Sequence, residues 1–311
     1  MTVSKLFSPI ALAVAGILAL TGCAGSAPAG AGASPSASVP AAAINVVAST
    51  NVWGDIASQI GGDKVQVTSI ISDPNQDPHE FQASARNQLA LSQAQLVIEN
   101  GGGYDDFVDT MLTSANNSAA TVLNAVTISG FAATAGSELN EHVWYSYPTV
   151  RKVAEAIRDS LSTLDPGDAA TFAANTATFA QGLDKLNQSA AAIKAKDAGK
   201  GAAITEPVPL YLLDEMGLVN KTPEAFSEAI ENDSDVSAKV LSQTVDLFSK
   251  HQVSVLAYNA QTSGPQTDQV LAAARAAGVP AVPVQETLPE GKTYLDWQAG
   301  IIAAIGEALA K

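Results

Sequence analysis

The sequence predicts an α/β protein: two lobes, each built on a parallel sheet, joined by a single long helix. Three observations predict it. From Ile44 onward, short apolar runs alternate with stretches of helical spacing, the pattern of βαβ units. Ala169 to Lys196 is an Ala-rich stretch without proline and with one glycine, Gly182, in which Phe172, Phe179, Leu183 and Leu186 keep helical spacing. After Gly201 the strand–helix alternation resumes.

The chain opens differently. Lys5 precedes an apolar run from Phe7 to Leu20, and Leu20-Thr21-Gly22-Cys23 follows. A short positive region, an apolar region and a small-residue junction read as a secretory signal, so residues 1–22 are expected to be a signal peptide. The Leu-x-Gly-Cys ending resembles a bacterial lipobox, which implies cleavage before Cys23 and lipidation of its thiol. Cys23 is the only cysteine, so no internal disulfide forms. Residues 24 to 43 are nearly all Ala, Gly, Ser and Pro. Such a composition buries too little apolar surface to offset its ordering entropy. Residues 23–43 therefore read as the lipidated Cys and a flexible tether, reaching about 25 Å on average.

The first lobe is expected over 44–165. Strands are predicted at Ile44 to Ala48, Val65 to Ile71, Leu96 to Glu99 and Val122 to Ile128. Helices are predicted over Trp53 to Ile60, with Asn51 as cap, over Leu89 to Ala94, and over 148–164 from Pro148. Asp165-Pro166-Gly167-Asp168 breaks that last run. The linking helix spans 166–198; its 28-residue core would extend about 42 Å. The second lobe covers 199–311. Its strands are Ala202 to Thr205, Val253 to Tyr258 and Val279 to Val284, and its helices Val236 to Lys250, Thr267 to Ala277 and Tyr294 to Ala310.

With 31 acidic against 16 basic residues, the net charge is -15. That excludes a nucleic-acid partner, which needs a basic stripe, and is compatible with a cationic ligand. In open α/β sheets, ligands bind outside the carboxyl ends of the strands. His79 follows one predicted strand, and His142 lies in the loop before the helix at Pro148. Glu206 and Glu286 each follow a strand of the second lobe. If those ends share a cleft, two imidazoles and two carboxylates converge, a set that neutralises a divalent ion and suits zinc or manganese. Because imidazole ligates only when neutral, affinity is expected to fall below about pH 6. The third histidine, His251, reads as a helix C-terminal residue.

These motifs resemble the metal-binding receptors of zinc and manganese ABC importers, often called cluster A-I or cluster 9. The resemblance rests on Asp77-Pro78-His79, His142-Val143-Trp144, Thr205-Glu206, Glu286-Thr287 and the linking helix, and covers Ile44 to Lys311. It implies metal ligation by His79, His142, Glu206 and Glu286, with Zn2+ or Mn2+ as transported ligand. It implies a permease and an ATPase as partners, and attachment to the outer face of the bacterial cell membrane through the lipid on Cys23. The chain is expected to act as a monomer. Glu286 stands where the family commonly has Asp, and Trp144-Tyr145-Ser146 where an Asp-Pro often follows. No His-rich loop lies within 102–141, and Glu206 replaces the third His frequent in zinc receptors. These departures lean toward manganese, while zinc's higher intrinsic affinity opposes that lean.

No enzyme is expected: His-Glu-x-x-His is absent, and Gly101-Gly102-Gly103 lacks the Lys-Ser/Thr of a phosphate loop. The alternative readings are a lipoprotein receptor for chelated iron or haem, with Tyr104, Trp144, Tyr145 and Tyr147 as an aromatic wall, and an adhesin with a structural metal site.

Overall fold

The computed structural model describes residues 43–73, 81, 84–133 and 139–311. The expected signal peptide, Cys23, nearly all of the tether and the Asp77-Pro78-His79 motif lie outside these residues.

The first lobe contains β1 (Ile44–Thr50), α1 (Asn51–Gly61), β2 (Val65–Ile71), α2 (Ala85–Gln93), β3 (Leu96–Glu99), α3 (Phe107–Ala115), β4 (Thr121–Asn124), α4 (Ala125–Ser129) and α5 (Tyr147–Leu164). Its strands form a parallel sheet in the order β2-β1-β3-β4. β1 and β3 read as apolar runs because parallel strands are covered on both faces. The linking element is α6 (Ala169–Asp197), 29 residues and about 43 Å long. The second lobe contains β5 (Gly201–Ile204), α7 (Leu210–Glu215), β6 (Val219–Asn220), α8 (Glu224–Glu231), α9 (Ala238–Ser249), β7 (Val255–Asn259), α10 (Pro265–Ala276), β8 (Ala281–Val284) and α11 (Tyr294–Leu309). Its sheet order, β6-β5-β7-β8, is again all parallel and repeats the topology of the first.

The α/β architecture matches the sequence expectation, with local differences. The apolar run Val122 to Ile128 is not one strand. It turns at Asn124, whose side chain accepts a hydrogen bond from the Thr127 N–H at 2.8 Å and caps α4. Asn51 is not a cap either: it is the first residue of α1, and its side chain bonds the second lobe instead. Pro283, in β8, sits on an edge strand, where its missing N–H costs no ladder bond.

Helix α6 buries Phe172, Thr176, Phe179, Leu183, Leu186 and Ala190 in one stripe at three- and four-residue spacing. That stripe packs on α1 and α5 of the first lobe and on α7 and α11 of the second. One apolar core therefore runs through both lobes, from Val46 and Ile98 through Phe179 to Ile204 and Ile305. Among the described residues, no helix is long and apolar enough to cross a membrane.

Candidate metal centre

Both sheets have a topological switch point, between β1 and β3 and between β5 and β7, where the crossover direction reverses and a crevice opens at the carboxyl ends. The residues leaving these ends meet. Tyr104, in the loop after β3, donates a hydrogen bond to Glu286 Oε2 at 3.0 Å, and Glu286 follows β8. The two carboxyl ends thus close on each other across the crevice.

His142 is fully buried at the turn that leads into α5. Asn140 fixes its tautomer. The Asn140 Nδ2 donates to the Pro207 carbonyl at 3.1 Å, so Oδ1 is the atom facing the imidazole, 2.8 Å from Nδ1. An amide oxygen only accepts, so Nδ1 carries a hydrogen and Nε2 is the ring nitrogen left to serve as a metal ligand. That Nε2 has no hydrogen-bond partner among the described residues. It points at carboxylates: Glu231 Oε1 lies at 3.5 Å and Glu286 Oε2 at 3.9 Å. A buried ring nitrogen without a hydrogen-bond partner among the described residues, facing carboxylate oxygens at these distances, is a donor set that a divalent cation can occupy.

Glu286 is held tightly. Asn259 Nδ2, at the end of β7, donates to its Oε1 at 2.7 Å, and its backbone N–H donates to Gln261 Oε1 at 2.6 Å. Glu206, two residues beyond β5, is buried, and its Oε2 has no hydrogen-bond partner among the described residues. Burial pushes its carboxyl up to about 8, with the charges of Glu231 and Glu286 adding to the rise and bonds from Asn259 and Thr262 opposing it. Burial beside Glu286 likewise holds the Tyr104 phenol well above its ordinary range, so it stays a neutral donor.

Of the residues expected from sequence, His142, Glu206 and Glu286 therefore gather in one crevice, while His79 lies outside the described residues. Two carboxylates escaped the sequence reading. Glu231 closes the C-terminal end of α8, and Glu141 precedes His142; an oxygen of each lies, with a ring nitrogen of His142, in a group spanning no more than 4.8 Å. The signal for Glu231 was present. An acidic residue at a helix C-terminus opposes the macrodipole, and it follows the buried Ile230. Tyr104, Trp144, Tyr145 and Tyr147 are buried and packed. Tyr104 and Trp144 each sit edge-on to His142, with ring centroids 6.1 and 5.1 Å away. They brace the imidazole and form no open wall for a flat chelate.

The sequence profile of a family described as ZnuA, zinc-uptake complex component A, periplasmic, matches residues 46–308. The chain belongs to the ZnuA family. It is a metal-binding, extracytoplasmic substrate-binding protein of the ABC uptake class and not an enzyme. The manganese-binding lipoprotein MntA of Bacillus subtilis is 25% identical over 240 residues, covering 76% of this chain and 77% of that protein. The protein of the same name from Halalkalibacterium halodurans is 27% identical over 145 residues, and the match spans 47% of this chain and about half of that relative, 48%. A crystal structure of ZnuA superposes with a TM-score of 0.71 at 22% identity, covering 86% of this chain and 98% of that one. The ZnuA family thus has the lobe–helix–lobe architecture described above.

Proposed function

We propose that this protein captures a divalent transition-metal ion between its lobes and delivers it to the permease and ATPase of an ABC importer, with manganese as the better-fitting ion. The observation that carries the reading is the buried Nε2 of His142, without a hydrogen-bond partner among the described residues, beside the carboxylates of Glu231 and Glu286. A divalent cation placed there satisfies the ring nitrogen and the carboxylates together. His142, Glu206 and Glu286 hold the ion, His79 supplies a second imidazole, and Glu231 adds a further oxygen. Carboxylate donors then outnumber imidazoles, and an oxygen-rich shell suits manganese better than the nitrogen and sulfur shells typical of zinc. The names of the two MntA relatives point the same way. Zinc still binds, because intrinsic affinity at such donors rises from manganese to zinc.

The domain limits follow the same plan: residues 1–22 are removed, Cys23 carries the lipid, and residues 23–43 tether lobes at 44–165 and 199–311 joined through 166–198. The lipid holds the receptor at the outer face of the membrane, beside its transporter.

Elemental analysis of protein purified without chelator is expected to find manganese, and titration with either ion should raise the thermal midpoint. His142→Ala should abolish that rise. An undiminished rise in the variant would show that the ion binds elsewhere.

A further inference from the structure

A fully buried His142 poses a problem of access, and the cavity beside α8 answers it. That cavity, of about 470 Å³, lies between the lobes and is lined by Glu141, Glu224, Glu228 and Glu231, with Gly102 and Pro207 also on its wall. Among the described residues, no lysine or arginine lines it. Glu224, Glu228 and Glu231 follow each other at four- and three-residue spacing, so one face of α8 carries a row of carboxylates, with about 10 Å of rise from first to last. The exposure falls along the row, from the exposed Glu224 to the half-buried Glu228 and Glu231. An acidic helix face is ordinarily a solvated surface. This one ends on a ligand-seeking group: Glu231 lines the cavity and also stands 3.5 Å from the Nε2 of His142, which is 0% exposed and lacks a hydrogen-bond partner among the described residues. Glu141 belongs to both the cavity wall and the same cluster.

We propose that this cavity is the loading route for a hydrated divalent cation, with Glu224 and Glu228 as relay carboxylates and Glu231 as the group that hands the ion to His142. The proposal rests on the metal-capture reading above. A pocket walled by one sign of charge focuses the field and raises the encounter rate of an oppositely charged ligand. Each carboxylate in the row exchanges part of the ion's hydration shell for a protein oxygen, so no step requires the bare ion. Glu231 is then a ligand on the path as well as at its end.

The test is kinetic. Stopped-flow association of Mn2+ is followed through tryptophan fluorescence, Trp144 lying against His142, on the full chain. The double variant Glu224→Gln/Glu228→Gln should associate about three- to tenfold more slowly at low salt, with a smaller change in equilibrium affinity. Its rate should also depend less on added sodium chloride than the wild-type rate. A control, Glu155→Gln/Glu307→Gln, removes the same charge from exposed positions outside the cavity and should leave the rate unchanged. A double variant as fast and as salt-dependent as wild type would overturn the route, as would a control slowed equally. If the wild-type chain bound neither Mn2+ nor Zn2+, the capture reading would fall and the route with it.

Discussion

Glu206 shows how the site is set before any ion arrives. Its carboxyl is buried near two others, Glu231 and Glu286, and burial together with their charge raises it to about 8. Below the ordinary carboxylate value of about 4.5 the group is protonated whether the chain is folded or not, so folding gains nothing from pH change there. Between that value and about 8 the folded state keeps a proton that the unfolded state has lost. The folded state is therefore favoured at the acidic end of this window, and that advantage is lost as pH rises through it. Crowded anions at pH 8 and above are what a divalent cation relieves, so metal binding and folding are coupled most strongly there. Glu206→Gln should remove the crowding. Without metal, the variant's thermal midpoint at pH 9 is expected to exceed that of wild type by several degrees, with little difference at pH 4. The metal-induced rise should shrink in the same variant. Thermal melts with chelator across that pH range check both, and a variant less stable than wild type at pH 9 would refute the electrostatic account.

At the scale of elements, the sheet of the second lobe begins at a close approach. A Cβ on Gly201 would lie 2.1 Å from the Gln252 carbonyl oxygen, a backbone atom that cannot turn aside. The Ser254 N–H donates to the Gly201 carbonyl at 2.8 Å, so the strand cannot shift away without losing that bond. Gly201→Ala should cost about 1–3 kcal/mol, seen as a lower urea midpoint with an unchanged slope; an unchanged midpoint would show that the strand yields. Such contacts also mark what a sequence conveys. Long elements were legible, because α5, α6 and α11 carry sustained apolar spacing and β1, β3 and β7 are short apolar runs. The run after Thr121 was misread because apolar residues continue through it, and the capping Asn124 was the only break. Helix α8 was missed since it is short and offers only Phe226 and Ile230 as large apolar residues. With it went Glu231. The residues that gather at strand ends were legible as candidates because topology places them there, whereas Asn259, which holds Glu286, depends on a contact 27 residues away, and Asn140, two residues before His142, is anchored by Pro207, 67 residues on; no local pattern encodes either.

At the scale of the molecule, the question is how far the lobes move when the ion enters or leaves. Hydrogen bonds cross between them around the whole crevice. Asn51 exchanges two with the Leu288 backbone, at 2.9 and 2.8 Å. Tyr294 N–H donates to Asp55 Oδ2 at 2.8 Å, and its hydroxyl donates to the Trp144 carbonyl at 2.6 Å. Tyr145 donates to the Gln285 carbonyl at 2.8 Å, and Tyr147 to Gln298 Oε1 at 3.1 Å. These bonds lie over a shared apolar core threaded by α6, which grips both lobes along its length. A wide hinge opening would expose that core, at about 25 cal/mol for each Å² uncovered, and would break the tyrosine bonds together. Flexible receptors avoid this by joining their lobes through strands or loops that absorb dihedral change; a single continuous helix absorbs little. Loading and release are therefore expected to proceed by local rearrangement at the crevice, with the lobes held in place. Solution scattering of the chain with and without manganese should give the same radius of gyration within about 1 Å, while hydrogen exchange slows on metal addition in the loops around Tyr104, His142 and Glu286 only. A clear compaction on binding would mean that the helix bends and that the tyrosine bonds are made by the ion's arrival.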